Sequence, residues 1–131
     1  MDLELGDING SRMYRTMGIR IFEVSGETAV SELQPAHEMC WPIRGQPHGG
    51  VLFTQMDTTM ATAAIAGHPQ VRDSATISLQ IQYLAPATAA PFTCRAEVLK
   101  RGGRICFIDA RTTSADGTLV ATAHGSFRTF A

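Results

Sequence analysis

The residues of this chain best placed by type and spacing to do chemistry are His48-Gly49-Gly50 and Asp57. Two consecutive glycines open a helix-like run, Val51 to Ala66, so a ligand can approach the backbone closely there. The first-turn N–H groups of a helix lack intrahelical partners, and such a terminus can polarise an anion or a carbonyl oxygen. Losing one donor of an oxyanion site costs roughly 3–4 kcal/mol of transition-state stabilisation. A tight loop-to-helix turn, with glycine supplying a positive φ, explains the same dipeptide without any chemistry.

The acid stands out against its surroundings. Advancing about 100° per residue from Leu52 places Met56, Met60, Ala63, Phe53, Ala64 and Ala61 on one half of the helix. Thr54, Gln55, Thr58, Thr59 and Thr62 fall on the other half, and Asp57 lands at about 140°, inside the apolar half. A carboxylate held against packed apolar surface needs a hydrogen bond or a shared proton. Two readings fit: a rim carboxylate that reaches water, or a functional acid.

The elements that must position these groups are legible as alternation. From Thr76 to Tyr83, Ile77, Leu79, Ile81 and Tyr83 fall on one face, and Thr76, Ser78, Gln80 and Gln82 on the other. Phe92 to Arg101, Arg104 to Thr113 and Thr118 to Thr129 read as three further strands. Gly102-Gly103 and Asp116-Gly117 between them are dipeptides of primed hairpin turns, which predicts a meander. Gly18 to Val24 and Thr28 to Leu33 read as two strands around Gly26-Glu27, preceded by a weaker helical segment near residues 8–16. Strands that must bury the stripe of one helix of about five turns wrap it, which predicts an α+β domain spanning 1–131.

Composition bounds the function. With 131 residues, 44% hydrophobic and 18% charged, the chain is expected to form one soluble domain with a single core. A formal charge of −1 gives no basic footprint, so nucleic acid is not expected as a partner. The start, MDLELGDING, lacks the basic and apolar regions of a signal peptide, and no stretch reads as a membrane span, so a cytoplasmic location without membrane contact is expected. Cys40, Cys94 and Cys106 show no CxxC spacing and read as reduced thiols. His37, His48, His68 and His124 show no metal-binding spacing, so no metal is expected.

Gly45-x-x-His48-Gly49-Gly50, then Asp57, then Ala75-Thr76-Ile77-Ser78-Leu79-Gln80-Ile81-Gln82-Tyr83-Leu84-x-Pro86 together resemble the hotdog-fold acyl-CoA thioesterases, in the branch of the phenylacetate-pathway and 4-hydroxybenzoyl-CoA enzymes. The resemblance runs from about Gly18 to Phe130. It implies an antiparallel sheet of five to six strands around one central helix, and hydrolysis of an acyl- or aryl-CoA thioester to the free acid and CoA. CoA is then part of the substrate, and no separate cofactor is implied. Asp57 takes the place of the general base or nucleophile. The Gly49 N–H takes that of the carbonyl-polarising donor, Thr76 that of a hydroxyl that helps place water, and His48 an orienting role. Many relatives have Asn or Gln six residues before the motif histidine, whereas this chain has Pro42 there and a glutamine only at Gln46.

Geometry adds a requirement. Gly49 and Asp57 are eight residues apart on one helix, about 12 Å at 1.5 Å per residue, too far to engage one thioester together. Two helices packed antiparallel across a twofold axis would bring Asp57 of one subunit to Gly49 of the other. A homodimer, or a dimer of dimers, is therefore expected. Gly50, Gln46, Phe53 and Tyr83 are candidates for contact with the substrate, with Trp41, Met56 and Met60 as further candidates to line an acyl pocket or pack the core. Lys100, Arg101 and Arg104 around Gly102-Gly103 are either phosphate ligands for CoA or charges on a solvated hairpin tip, and Arg128 is a weaker candidate. Two other classes compete: a hotdog-fold enoyl or 3-hydroxyacyl thioester hydratase, and an acyl-CoA binding protein without catalysis. Asp57 argues against pure binding, and the lack of a histidine on an early strand argues against the hydratase.

Overall fold

The computed structural model describes residues 5–42 and 45–131. Two short helices, α1 (Leu5–Asn9) and α2 (Arg12–Met17), stand where the weak helical signal lay, and α2 stops at Gly18, whose φ of 87° is left-handed. A hairpin follows, β1 (Ile19–Ser25) and β2 (Thr28–Leu33), then a 3-10 turn (His37–Met39) and the long helix α3 (Gly49–Ala66). The remaining strands are β3 (Asp73–Tyr83), β4 (Phe92–Arg101), β5 (Ile105–Thr113) and β6 (Leu119–Phe130). All six form one antiparallel sheet in the order β1-β2-β4-β5-β6-β3, wrapped around α3 in the hotdog arrangement. The meander β4-β5-β6 is as expected, while β3 crosses over to pair with β6 and forms the far edge.

The turns at Gly102-Gly103 and Asp116-Gly117 are not the primed type. Gly102, Gly103 and Asp116 all lack a positive φ, and of these four residues only Gly117, at 88°, is left-handed. Ser114 N–H donates to Thr118 O at 2.9 Å, which closes a three-residue loop with glycine at its left-handed position, the next most common hairpin solution.

Small side chains let the sheet close on the helix. Ala29, Cys94, Ala96, Cys106, Ala110, Ala121 and Ala123 pack with Met56, Met60, Ala63 and Ala64 in one buried cluster. The polar half expected on α3 is not solvated: Gln55, Thr58, Thr59 and Thr62 are all buried. The sheet covers that side, and Gln55 Nε2, Thr59 and Thr62 find partners in the sheet or in the helix backbone, while Gln55 Oε1 is buried without one among the described residues. Gln55 Nε2 donates to Phe92 O at 3.1 Å and to Ser31 Oγ at 3.2 Å; Thr59 and Thr62 donate to the carbonyls of Gln55 and Thr58. The partly exposed side of α3 carries Phe53, Thr54, Asp57, Ala61 and Ile65 instead. Asp57 therefore sits on the side the sheet leaves open, rather than against the packed core.

A bulge corrects the reading of β3. Thr76 pairs with Phe127 and Ser78 with Ser126, so Ile77 is skipped in the register. The inserted residue turns Ile77 outward, 56% exposed, and brings Thr76 onto the helix-facing side with Leu79, Ile81 and Tyr83. Strict alternation would have aimed Thr76 away from α3.

Burial raises the Cys94 thiol to about 11, against the Thr112 and Thr59 hydroxyls that lower it. A thiol whose folded pKa lies above its unfolded value of 9.0 supports folding below pH 9 and loses that support as pH rises toward 11. Urea midpoints measured between pH 9 and pH 11 should fall, and the fall should be shallower in Cys94→Ala, by an amount on the order of 2–3 kcal/mol at most.

Candidate active site

The cap of α3 is built by its own first residues. His48 is the N-cap, and its Nδ1 accepts the Gly50 N–H at 2.8 Å. That bond requires an unprotonated Nδ1, so in this arrangement the imidazole acts as an acceptor. The preceding loop closes on itself: Trp41 N–H donates to Gln46 O at 2.7 Å and His48 N–H to Met39 O at 2.9 Å. The closure stacks the Trp41 ring on His48, centroids 5.4 Å apart. Neither Gly49 nor Gly50 has a positive φ, so the turn itself does not require them. Close approach does: a Cβ on Gly49 would stand 3.3 Å from the Tyr83 ring, and one on Gly50 would stand 3.0 Å from His48 Nδ1. The Gly49 N–H donates to no group among the described residues.

Two turns further on, Asp57 and Thr76 meet. Thr76 Oγ1 donates to Asp57 Oδ1 at 2.6 Å, so the carboxylate has the hydrogen bond its position asks for. The donating hydroxyl keeps lone pairs with which to accept from water. At the start of the helix the same strand makes a second contact, where Tyr83 Oη donates to Gly49 O at 2.6 Å. Sequence reading placed Tyr83 on a pocket wall and missed this bond. The signal for it, two hydroxyls seven residues apart on one face, appears only once the bulge is known.

An apolar cavity of about 540 Å³ opens beside the helix start, lined among others by Met17, Met39, Trp41, His48, Gly50 and Val51. Pro42 also lines it, at the place where a side-chain amide was expected. Met56 and Met60 are completely buried and belong to the core, while Phe53 stands on the open side of the helix near Asp57. Gln46 is half-buried and takes part through its carbonyl in closing the loop.

The hairpin cations lie elsewhere. Arg101 is only 13% exposed and its Nε donates to Glu27 Oε1 at 2.8 Å. It lies beside Gly67, just past the last turn of α3, where a cation complements the partial negative charge of the helix end. That is one helix length, about 27 Å, from Gly49. Lys100 and Arg104 remain exposed, and Arg128 stacks its guanidinium over Phe130 at 5.2 Å. Among the described residues, no group of three or more His, Cys, Asp or Glu is arranged to hold a metal ion, and no helix is long and apolar enough to cross a membrane.

The fold thus holds a sheet-wrapped helix with a bare N–H at its start and a hydrogen-bonded acid two turns along. Residues 45–121 match the model of the thioesterase superfamily. The chain is 28% identical over 116 residues to a protein of Saccharolobus solfataricus proposed to be an esterase, covering 88% of this chain and 81% of that one. A conserved protein from Pseudomonas aeruginosa superposes with a TM-score of 0.83 at 28% identity, over 92% of this chain and 94% of that one. The E. coli PaaI protein from the phenylacetic acid degradation operon shares the fold, with a TM-score of 0.85 at 21% identity, over 96% and 89% of the two chains. The chain belongs to the thioesterase superfamily, and with it to the thioester hydrolases.

The Thr76 contact yields a specific expectation. Thr76→Val keeps the shape and removes the hydroxyl, and should lower thioester turnover by about tenfold, the equivalent of one lost hydrogen bond. Thr76→Ser should retain most of the rate, as steady-state kinetics on both variants would show.

Proposed function

We propose that the protein hydrolyses acyl- or aryl-CoA thioesters at sites shared between two subunits. The observation that carries this reading is the pairing, on one helix, of an unengaged Gly49 N–H with an Asp57 already hydrogen-bonded to Thr76. The Gly49 N–H polarises the thioester carbonyl and stabilises the oxyanion that forms there. Asp57 takes a proton from water as that water attacks the carbonyl carbon. The tetrahedral intermediate then expels the CoA sulfur, which receives the proton, and the products are a carboxylic acid and CoA thiol. In the direct route, Asp57 attacks instead, and water hydrolyses the resulting mixed anhydride. Oxygen-18 appearing in Asp57 after one turnover in labelled water marks the direct route with water opening the anhydride at the aspartyl carbonyl.

The spacing along α3 supports placing the two groups in different sites, and in this reading the active form is a homodimer. Edge strand β3 supports that assembly. It runs for 11 residues with its only charge at Asp73, and Ile77 and Tyr83 are 56% and 50% exposed beside the open side of the helix. An edge of this kind is a template for another strand, and pairing it with its own copy would set two α3 helices antiparallel. The apolar cavity beside Gly50 suits the acyl group.

A panel of short-chain, long-chain and aryl CoA esters tests the reading by thiol release. Asp57→Asn should fold as a dimer and lose at least about a hundredfold in rate. Near-normal hydrolysis by this variant, or full activity from a monomer in sedimentation, would contradict it. Absorbance change of an enoyl ester without thiol would point to hydration instead.

A further inference from the structure

The chemistry above leaves Tyr83 without a part, although it touches the residue at the centre of the site. The peptide joining Gly49 and Gly50 has both of its polar ends held by side chains. Its oxygen accepts the Tyr83 hydroxyl at 2.6 Å, and its N–H donates to His48 Nδ1 at 2.8 Å. One holder comes from the loop before the helix and the other from β3. Such clamping has a physical purpose. Glycine has the greatest backbone freedom of any residue, and the first turn of a helix lacks the full set of bonds that steadies its interior. A Gly-Gly start therefore leaves its N–H groups poorly aimed unless something else fixes them, and donors stabilise an oxyanion only when preorganised. The Tyr83 ring adds packing to the hydrogen bond, since it occupies the space a Gly49 side chain would need. Burial pushes the phenol above its ordinary 10.0.

We propose that Tyr83 is a positioning residue: with His48 it pins the Gly49–Gly50 peptide from both ends and so aims the Gly49 N–H at the substrate carbonyl. This rests on the reading that the Gly49 N–H polarises that carbonyl. It has a consequence for assembly, because β3 of one subunit then serves two sites. Thr76 supports its own Asp57 in one of them. Tyr83 supports its own Gly49 in the other, where the acid comes from the partner.

Tyr83→Phe keeps the ring and removes the hydroxyl. The expected result is a kcat lower by about tenfold with KM unchanged and melting temperature held, since one hydrogen bond is lost without disturbing packing. Mixed dimers, made by co-expressing Tyr83→Phe and Asp57→Asn subunits with different tags, locate the effect. If Tyr83 and Asp57 of one chain serve different sites, each mixed dimer holds one unaltered site and turns over at about half the wild-type rate. If they serve the same site, the mixed dimer reaches only about half the Tyr83→Phe rate, which overturns the proposal. An unchanged kcat in Tyr83→Phe, or a loss that appears only in KM, also overturns it. Should Tyr83→Phe not assemble, His48→Ala releases the other end of the same peptide. A lower kcat at constant KM is expected there too, and an unchanged kcat overturns the proposal. Failure of the underlying reading looks different, because Asp57→Asn would then keep its activity.

Discussion

A helix is a rigid ruler, and two of its residues eight positions apart cannot converge on one carbon atom. That constraint shapes the site. Gly49 begins α3 and Asp57 lies two turns along it, about 12 Å away, on the side of the helix the sheet does not cover. The sheet could not close further without burying a carboxylate among alanines, at a desolvation cost of several kcal/mol. In the proposed mechanism the open side is therefore both where the chemistry sits and where a second subunit completes the site.

Strand β3 links these two facts. It is the last strand of the sheet, and its helix-facing hydroxyls reach α3 at two points, Thr76 at Asp57 and Tyr83 at Gly49. The bulge at Ile77 makes the pair possible, because it changes which face Thr76 occupies. The same inserted residue places Ile77 outward on an edge that carries little charge. One strand thus carries both contacts to the helix and an exposed, nearly uncharged edge.

Much of this was legible in the residues themselves. The long helix, the six strands and the meander follow from period and turn composition, and the Gly-Gly and Asp pattern pointed to the helix end and the acid. The polar and apolar halves of α3 were not legible, because helical period assumes that one side faces water. Here the sheet covers the threonine side, and Gln55, Thr59 and Ser31 are hydrogen-bonded to one another inside it. The strand face of Thr76, whose role came only from the family resemblance, and its shared face with Tyr83 were hidden for a related reason: a one-residue register shift reverses which face a strand residue occupies, and alternation in the sequence carries no mark of it. Arg101 shows the same limit. Its spacing beside two glycines suggested a phosphate ligand, while its fold neighbours Glu27 and the end of α3 engage it.

The central claim is a site composed of one subunit's helix start and the other's acid. A crystal structure with a non-hydrolysable acyl-CoA analogue tests it most directly. The account predicts the analogue's carbonyl oxygen within hydrogen-bond distance of Gly49 N–H from one subunit, and its carbonyl carbon facing Asp57 from the other. An analogue held by Gly49 and Asp57 of the same chain, or bound away from both, would contradict it.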